Sequence, residues 1–256
     1  MSQNLHYRTA SVIAHESREL PARQIAYLRK RPGDALVPLI TRQRHDVIGH
    51  LVEQRDPRLV DALTPNLANV HGLSGQLLKI SSVDAGWRIS LPGLAGEILQ
   101  RWDAQGSHWR TVYDDQLRVL AVDENDQPNV ETFRYADATA DKAFNLCGQL
   151  VRQVDPSGTL EWLSFGLHGQ ALRDSRTITG AGAFPGSRTY SPLGTLLTQT
   201  DAGDHQQRMV YDRAGQLQQV QLRLAPTEAW LPVLEDARYN AAGQIIEQHA
   251  GNKVLS

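Results

Sequence analysis

A glycine, a polar residue, then Leu or Ile, with an aspartate seven residues after the glycine: this phrase recurs along the chain and restricts what it can fold into. It reads GHLVEQRD from Gly49 to Asp56, GEILQRWD from Gly96 to Asp103, GQLVRQVD from Gly148 to Asp155 and GTLLTQTD from Gly194 to Asp201. Looser copies begin at Gly75, Gly215 and Gly243. A sequence that repeats at short intervals builds a repeated structural unit, each copy stacking on its neighbours.

Each copy reads as a β-strand between two turns. Glycine suits a turn position that needs positive φ, and an aspartate followed by Gly or Pro starts the next turn. A spacing of seven leaves about five or six residues for the strand, a usual strand length. Ahead of several glycines stands an aromatic residue or His followed by Asp or Asn: His45-Asp46, Phe144-Asn145, Tyr211-Asp212 and Tyr239-Asn240. The unit is therefore strand, Tyr-Asp-x-x-Gly turn, strand, Asp turn, which is a repeated β-hairpin. The glycines at 49, 75, 96, 148, 169, 194, 215 and 243 lie 26, 21, 52, 21, 25, 21 and 28 residues apart. The long gap holds a degenerate copy, Tyr113-Asp114-Asp115-Gln116-Leu117, without its turn glycine.

The second residue after each glycine is Leu51, Leu77, Ile98, Leu150, Leu196, Leu217 or Ile245. Side chains two apart on a strand share a face, so this constant phase predicts one apolar, buried or lumen-side face of a sheet. Helical periodicity is weak; Asp61 to Val70 and Asp137 to Phe144 are the stretches that could hold a short helical turn.

YDRAGQLQQV (Tyr211 to Val220), YNAAGQIIEQ (Tyr239 to Gln248) and FNLCGQLVRQVDPSGT (Phe144 to Thr159) resemble the YD repeats of Rhs proteins. TASVIAHESREL near the start, RHDVIGHLVEQRDPRL from Arg44 to Leu59, SSVDAG from Ser81 to Gly86, and YSPLGTLLTQTDAGDHQQRMVYDRAGQL from Tyr190 to Leu217 together resemble the amino-terminal region of the TccC-like C component of bacterial insecticidal toxin complexes. The resemblance runs in order over essentially the whole chain. It implies an all-β, spiralling antiparallel sheet that forms part of a hollow shell, built with a B component, and indirectly an A component, around an unfolded toxic polypeptide. It also implies further repeats, a core region with autoproteolytic aspartates and a variable toxin, none of which lies in these 256 residues. The shell-forming role carries over and the toxic activity does not.

Residues 1–43 read as a non-repeat lead-in, with strands expected at Ser11 to Ala14 and Gln24 to Leu28 and a basic stretch from Arg23 to Arg31. Within it LRKRPGD reads as a solvated turn rather than a phosphate-binding patch. Residues 44–256 read as the repeat sheet, interrupted by two Gly/Pro-rich segments, Gly180 to Ser187 and Leu224 to Pro232, which are expected to be exposed loops. A sheet of this kind leaves an open strand edge that needs a partner. The amino-terminal stretch from His6 to Leu59 is where the B component is expected to dock.

The formal net charge of −2 gives no field that would attract nucleic acid or an anionic membrane. No apolar stretch approaches the ~18 residues of a membrane span, and the first 30 residues lack a signal-peptide core. The resemblance implies a secreted complex component, exported without such a signal and cytoplasmic before export; the missing signal is equally compatible with a cytoplasmic product. Cys147, the single cysteine, can form no internal disulfide and stands in a turn. His45 and His50 flank a turn glycine, not adjacent turns of a helix, which argues against zinc. No GxSxG, Walker or HExxH motif occurs, and Gly180-Ala181-Gly182 lacks the context of a nucleotide loop. Asp84-Ala85-Gly86 and Asp201-Ala202-Gly203 echo a protease motif but fall where the repeat requires turns. The reading is non-catalytic: no catalytic, cofactor-binding or metal-binding residue is assigned. The alternative is a free-standing module that binds carbohydrate or a cell surface through its five tryptophans, 87, 102, 109, 162 and 230. Against it, Tyr211 and Tyr239 stand at turn starts, where they are expected to pack over the next hairpin.

Overall fold

A computed structural model of the chain describes residues 5–252. Residues 1–4 and 253–256, the outer ends of the lead-in and repeat regions, lie outside the described residues. The chain divides into two compact units at residues 128/129. The first contains β1 (Val12–His15), β2 (Pro21–Leu28), β3 (Val37–His45), β4 (Leu51–Arg55), β5 (Leu67–His71), β6 (Leu77–Ser82), β7 (Gly86–Pro92), β8 (Ile98–Asp103), β9 (His108–Tyr113) and β10 (Val119–Glu124). β11 (Gln127–Tyr135) carries the division. The second contains β12 (Leu150–Asp155), β13 (Gly158–Phe165), β14 (Ala171–Ile178), β15 (Gly182–Tyr190), β16 (Leu196–Thr200), β17 (Gln206–Tyr211), β18 (Leu217–Arg223), β19 (Leu231–Tyr239) and β20 (Ile245–Ala250).

Within each unit every strand pairs antiparallel with the next in sequence, a meander of hairpins. The all-β expectation holds: the helical content of the described residues is one 3₁₀ turn at Lys142–Phe144. That turn falls in one of the two stretches expected to coil. The other, Asp61 to Val70, makes only isolated turn bonds before entering β5.

One turn chemistry generates the hairpins. In the turn from Asp46 to Gly49, the Gly49 N–H donates to the Asp46 carbonyl, and the Asp46 N–H donates to the His50 carbonyl. The same pair of bonds closes the turns that start at Gly72, Gly93, Asp103, Asp114, Gly166, Ser191, Asp201, Asp212 and Asn240. Where the first residue is Asp, its Oδ1 also accepts backbone N–H groups two and four positions on, as Asp212 does from Ala214 and Gln216. That is a side-chain copy of a backbone turn. The fourth residue is held at positive φ, 80° at Gly215, and the ladder slips by one residue beside it. A turn followed by a left-handed residue and a bulge matches the right-handed twist of the flanking strands.

The degenerate copy keeps this geometry without glycine. Leu117 sits at φ 59°, donates to the Asp114 carbonyl, and is half exposed. Leucine in that conformation costs about 1–2 kcal/mol, which the Asp114 carboxylate offsets by accepting N–H bonds from Gln116 and Arg118.

The slip sets a recurrent cross-turn pair: His45 faces Leu51, His71 faces Leu77, Tyr190 faces Leu196, Tyr211 faces Leu217 and Tyr239 faces Ile245, with Pro92 in the aromatic position opposite Ile98. In the hairpin of β11 and β12 the residue facing Leu150 is Tyr135, not Phe144. The expectation for Phe144-Asn145 is corrected: an inserted stretch, Asp137 to Cys147, separates the aromatic position from its glycine. The Tyr hydroxyls reach the previous hairpin, not the next. Tyr113 donates to the Ile98 carbonyl at 2.9 Å, Tyr211 to Leu196 at 2.9 Å and Tyr239 to Leu217 at 2.7 Å.

Two further corrections concern the layer and its loops. The Gly180 to Ser187 segment is mostly strand: β15 starts at Gly182 and pairs Gly182 to Ser187 with β14. Its pairing with β16 starts only at Ser187, so Pro185 lies where a neighbour is present on one side alone and its missing N–H breaks no ladder. The Leu224 to Pro232 segment is a loop up to Trp230, after which β19 begins. The predicted apolar phase exists, but it is not a closed core. Leu77, Ile98 and Ile245 are exposed, and among the described residues the buried apolar side chains are only Ala121, Val151, Phe165, Leu234 and Ala237. The accessible surface is 17363 Å². Two compact proteins, each of half the 28.4-kDa mass, would expose about 13500 Å² together. Each unit is a single layer with both faces open.

The turn chemistry predicts opposite signs for two substitutions. Gly215 has open space where a Cβ would stand, so Gly215→Ala tests backbone conformation alone and should lower stability by about 1 kcal/mol. Leu117→Gly should raise it by a similar amount. Thermal or urea unfolding of both variants measures the pair, and equal signs would contradict the account.

Candidate assembly surface

Three surfaces of this layer are available to other molecules: strand edges, hairpin tips and the charged face of β2 to β4. Among the described residues β1 pairs with β2 alone and β20 with β19 alone. Edge strands are usually blunted by charge, proline or bulges. β1 has neither charge nor proline. Its Val12 and Ile13 are half exposed, and the ladder is irregular only at His15. β20 opens with Ile245 and Ile246, both exposed.

The hairpin tips are apolar where turns usually carry Asn, Asp, Ser or Pro. Leu73, Leu94, Leu167 and Leu193, at the tips of the hairpins β5–β6, β7–β8, β13–β14 and β15–β16, are almost fully exposed. Successive tips in a unit are two strand spacings, roughly 10 Å, apart. Single exposed leucines need no explanation, whereas a row at the same turn position is a repeated feature of the surface.

On one face of β2 to β4 stand Arg23, Arg42, Arg44 and Arg55. Arg44 pairs with Glu53 at 2.5 Å, and its guanidinium holds the Glu53 carboxyl below its ordinary value. The sequence singled out Arg23 to Arg31 as a basic run and missed this cross-strand group, because strand register is not written in residue spacing.

Charged groups elsewhere fasten turns to strands. Arg58 bridges Asp56 at 2.6 Å and Asp84 at 2.8 Å, which raises its pKa and lowers both carboxyls. Arg176 joins Asp155 at 2.9 Å, and Arg188 joins Asp174. At Asp46 partial burial pushes the carboxyl pKa up. The N–H of His50, its ring nitrogen, and the N–H groups of Gly49 and Ile48 outweigh this and bring it down to about 2. The His50 ring in turn stacks on His71 with centroids 4.6 Å apart.

The residues weighed for chemistry sit as follows. Asp84 is held by Arg58, and Asp201 caps its own turn and meets His205 at 2.9 Å. Cys147 is exposed, its Sγ 3.5 Å from the Ala140 carbonyl. Among the described residues no group of three or more His, Cys, Asp and Glu side chains converges on a point where a metal ion could sit. Several tryptophan rings are occupied by the protein itself. Trp230 lies between Arg208 and Arg223 at 5.0 and 4.9 Å, Arg101 covers Trp109 at 4.5 Å, and Trp102 stacks on His108. All five tryptophans are at least partly exposed, and Trp87 is the most exposed of them, beside a shallow hollow with Ala68 and Ser81.

Repeated aromatic-Asp-x-x-Gly turns with a one-residue slip beside them, and the hydroxyls of Tyr113, Tyr211 and Tyr239 tying their hairpins to the ones before, make an architecture similar to that of Rhs-type YD repeats. The chain is a relative of the toxin-complex subunits, as the residues suggested. It is 29% identical over 287 residues to the toxin subunit YenC1 of Yersinia entomophaga, an alignment spanning 98% of this chain and 29% of the relative. To YenC2 of the same organism it is 28% identical over 302 residues, spanning 100% of this chain and 31% of the relative. The chain thus covers less than a third of the curated relatives it matches. No protein-family model matches it. Among solved structures, it superposes on a crystal structure of TcdB2-TccC3-Cdc42 with a TM-score of 0.82 and 29% identity, covering 98% of this chain and 13% of that chain. For the Tc holotoxin pore of Photorhabdus luminescens the values are 0.81, 30%, 98% and 13%.

The lowered carboxyl of Asp46 gives a pH prediction. A carboxyl with a folded pKa below its unfolded value stabilises the fold above the unfolded value of about 3.9, and that contribution is lost as pH falls through the folded one. The thermal midpoint should therefore drop between roughly pH 5 and pH 2. Asp46→Asn keeps the turn acceptor but cannot ionise, and should show a shallower drop. Parallel curves for the two proteins would rule out the Asp46 contribution.

Proposed function

We propose that this chain is a non-catalytic wall segment of a toxin-complex C component, which assembles with a B component to enclose a toxic polypeptide and acts outside the cell as part of that complex. The observation that carries the reading is the open single layer. A sheet that exposes both faces is completed by other protein, since apolar side chains left open to water are stabilised by a covering surface. The likeness to chains in TcdB2-TccC3 structures over 98% of the length supports a protein partner of that kind. Nothing in the wall role requires a reactive group; the turn aspartates, arginines and tyrosines already described hold hairpins together.

The edge of β1 and the adjoining β2 make the stretch from His6 to Leu59 the docking region for the B component in this reading. The predicted boundary at residues 43/44 falls inside β3, so a clean truncation removes residues 1–35 and leaves β3 whole. Size-exclusion chromatography with light scattering, on the chain alone and co-expressed with a TcdB2-type B component, tests both points. A one-to-one complex that forms with the full chain and fails without residues 1–35 is expected. A well-folded monomer indifferent to the B component would overturn the reading, and a truncated chain that still binds would move the docking region elsewhere.

A further inference from the structure

Three arginines stand directly opposite one another across β2, β3 and β4. Arg23 faces Arg42, and Arg42 faces Arg55. Directly opposed residues of an antiparallel pair share a face with their Cβ atoms about 5 Å apart, and like charges placed so destabilise the pair. Such a row persists where acceptors compensate it, and here the compensation is incomplete. The segment between β4 and β5 supplies part of it: Arg55 donates to the carbonyls of Ala62 and Leu63, and Asp61 lies 3.8 Å from Arg42. The guanidinium of Arg23 is exposed and has no hydrogen-bond or ion-pair partner among the described residues. Opposite it on the other side is Ala14 of β1, too short to cover it. A shallow hollow of about 350 Å³ opens over the row, with Gln43, Arg44 and Glu53 completing its wall.

We propose that this row receives an extended, Asp- or Glu-bearing segment of the partner protein, whose carboxylates pair with Arg23 and Arg42. The protein's own 56–66 segment shows the pattern, bringing one carboxylate and two peptide carbonyls to Arg42 and Arg55. Arg23 is the position that this segment leaves unfilled. Glu53 selects the ligand chemistry. Its carboxylate already pairs with Arg44 at 2.5 Å and Arg55 at 3.6 Å, so the charge left for a ligand is that of Arg23 and part of Arg42, which matches one or two single carboxylates on an extended chain rather than a dense phosphate or sulfate cluster. Arginine suits the task, since its planar fork matches a carboxylate with two parallel hydrogen bonds. This inference rests on the assembly reading above and adds which face the partner meets and with what chemistry.

The test uses the full chain and a TcdB2-type B component, with binding measured by calorimetry at two salt concentrations. Arg23→Glu combined with Arg42→Glu should weaken binding at least tenfold and flatten its salt dependence. Arg23→Glu alone should leave the thermal midpoint unchanged or higher, because it places a carboxylate opposite Arg42; a residue needed only for folding would lower it. Arg134→Glu makes the same kind of change opposite Arg152 in the second unit and should leave binding unchanged. If the double variant binds as the parent does, this inference falls and the assembly reading stands. If the parent chain does not bind, the assembly reading falls. A second titration of the chain alone then decides the row, using a hexaglutamate peptide and a sulfated hexasaccharide. Binding of the peptide, lost in the double variant, supports it. Binding of the sulfated sugar alone, or of neither, overturns it.

Discussion

The one-residue slip beside every second hairpin turn, from β3–β4 through β19–β20, is the constraint on which the rest of this sheet depends. Strand side chains alternate faces, so a register error of one residue would turn every side chain over. At these alternate hairpins the left-handed fourth residue of the turn stands beside the slip and fixes that register. It places an aromatic residue or His opposite the apolar residue that follows the turn. It also aims the tyrosine hydroxyls of Tyr113, Tyr211 and Tyr239 at carbonyls of the preceding hairpin. Local turn chemistry and contact between repeats are therefore one device: the turn sets the phase, and the phase brings the hydroxyl to its acceptor. Leu117 shows how strong the requirement is, since the turn holds a leucine at positive φ rather than change shape.

Stability in such a layer is distributed, not centred. No large side chain among the described residues is fully buried, so no core supplies most of the hydrophobic term. What remains is the antiparallel ladder, cross-strand pairs on both faces, and charged clasps such as Arg58 with Asp56 and Asp84. Exposed clasps are each worth little in water. A wall made this way gains when another surface covers its exposed apolar side chains, because that removes apolar area from water. The assembly reading and the physics of the isolated layer thus point the same way.

The repeat grammar was legible because it is local. Glycine at the positive-φ position, Asp as turn acceptor, and the apolar phase after the glycine are each set within seven residues, and the strands follow from them. Four things were not legible. Tyr135 was hidden from its glycine by the inserted residues 137–147, so the nearest aromatic, Phe144, took its place. The strand β15 was masked by its Gly/Pro content, which is tolerated because residues 182–186 pair on one side only. The row Arg23, Arg42 and Arg55 spans 33 residues of sequence and becomes a row only once two registers, β2 on β3 and β3 on β4, are known. The direction of the tyrosine contacts, backward along the chain, likewise depends on twist and slip, not on composition.

The insertion between Tyr135 and Gly148 has a consequence for how such proteins change over time. The tip within residues 136–147 is nine residues longer than its counterpart, yet Tyr135 still faces Leu150, 15 positions on, as Tyr211 faces Leu217, 6 positions on, in an uninterrupted hairpin. The repeat thus separates its reading frame from its loop length. Tips of this design are permissive ports: a lineage, or an engineer, can install a new peptide there without rewriting the fabric beneath it.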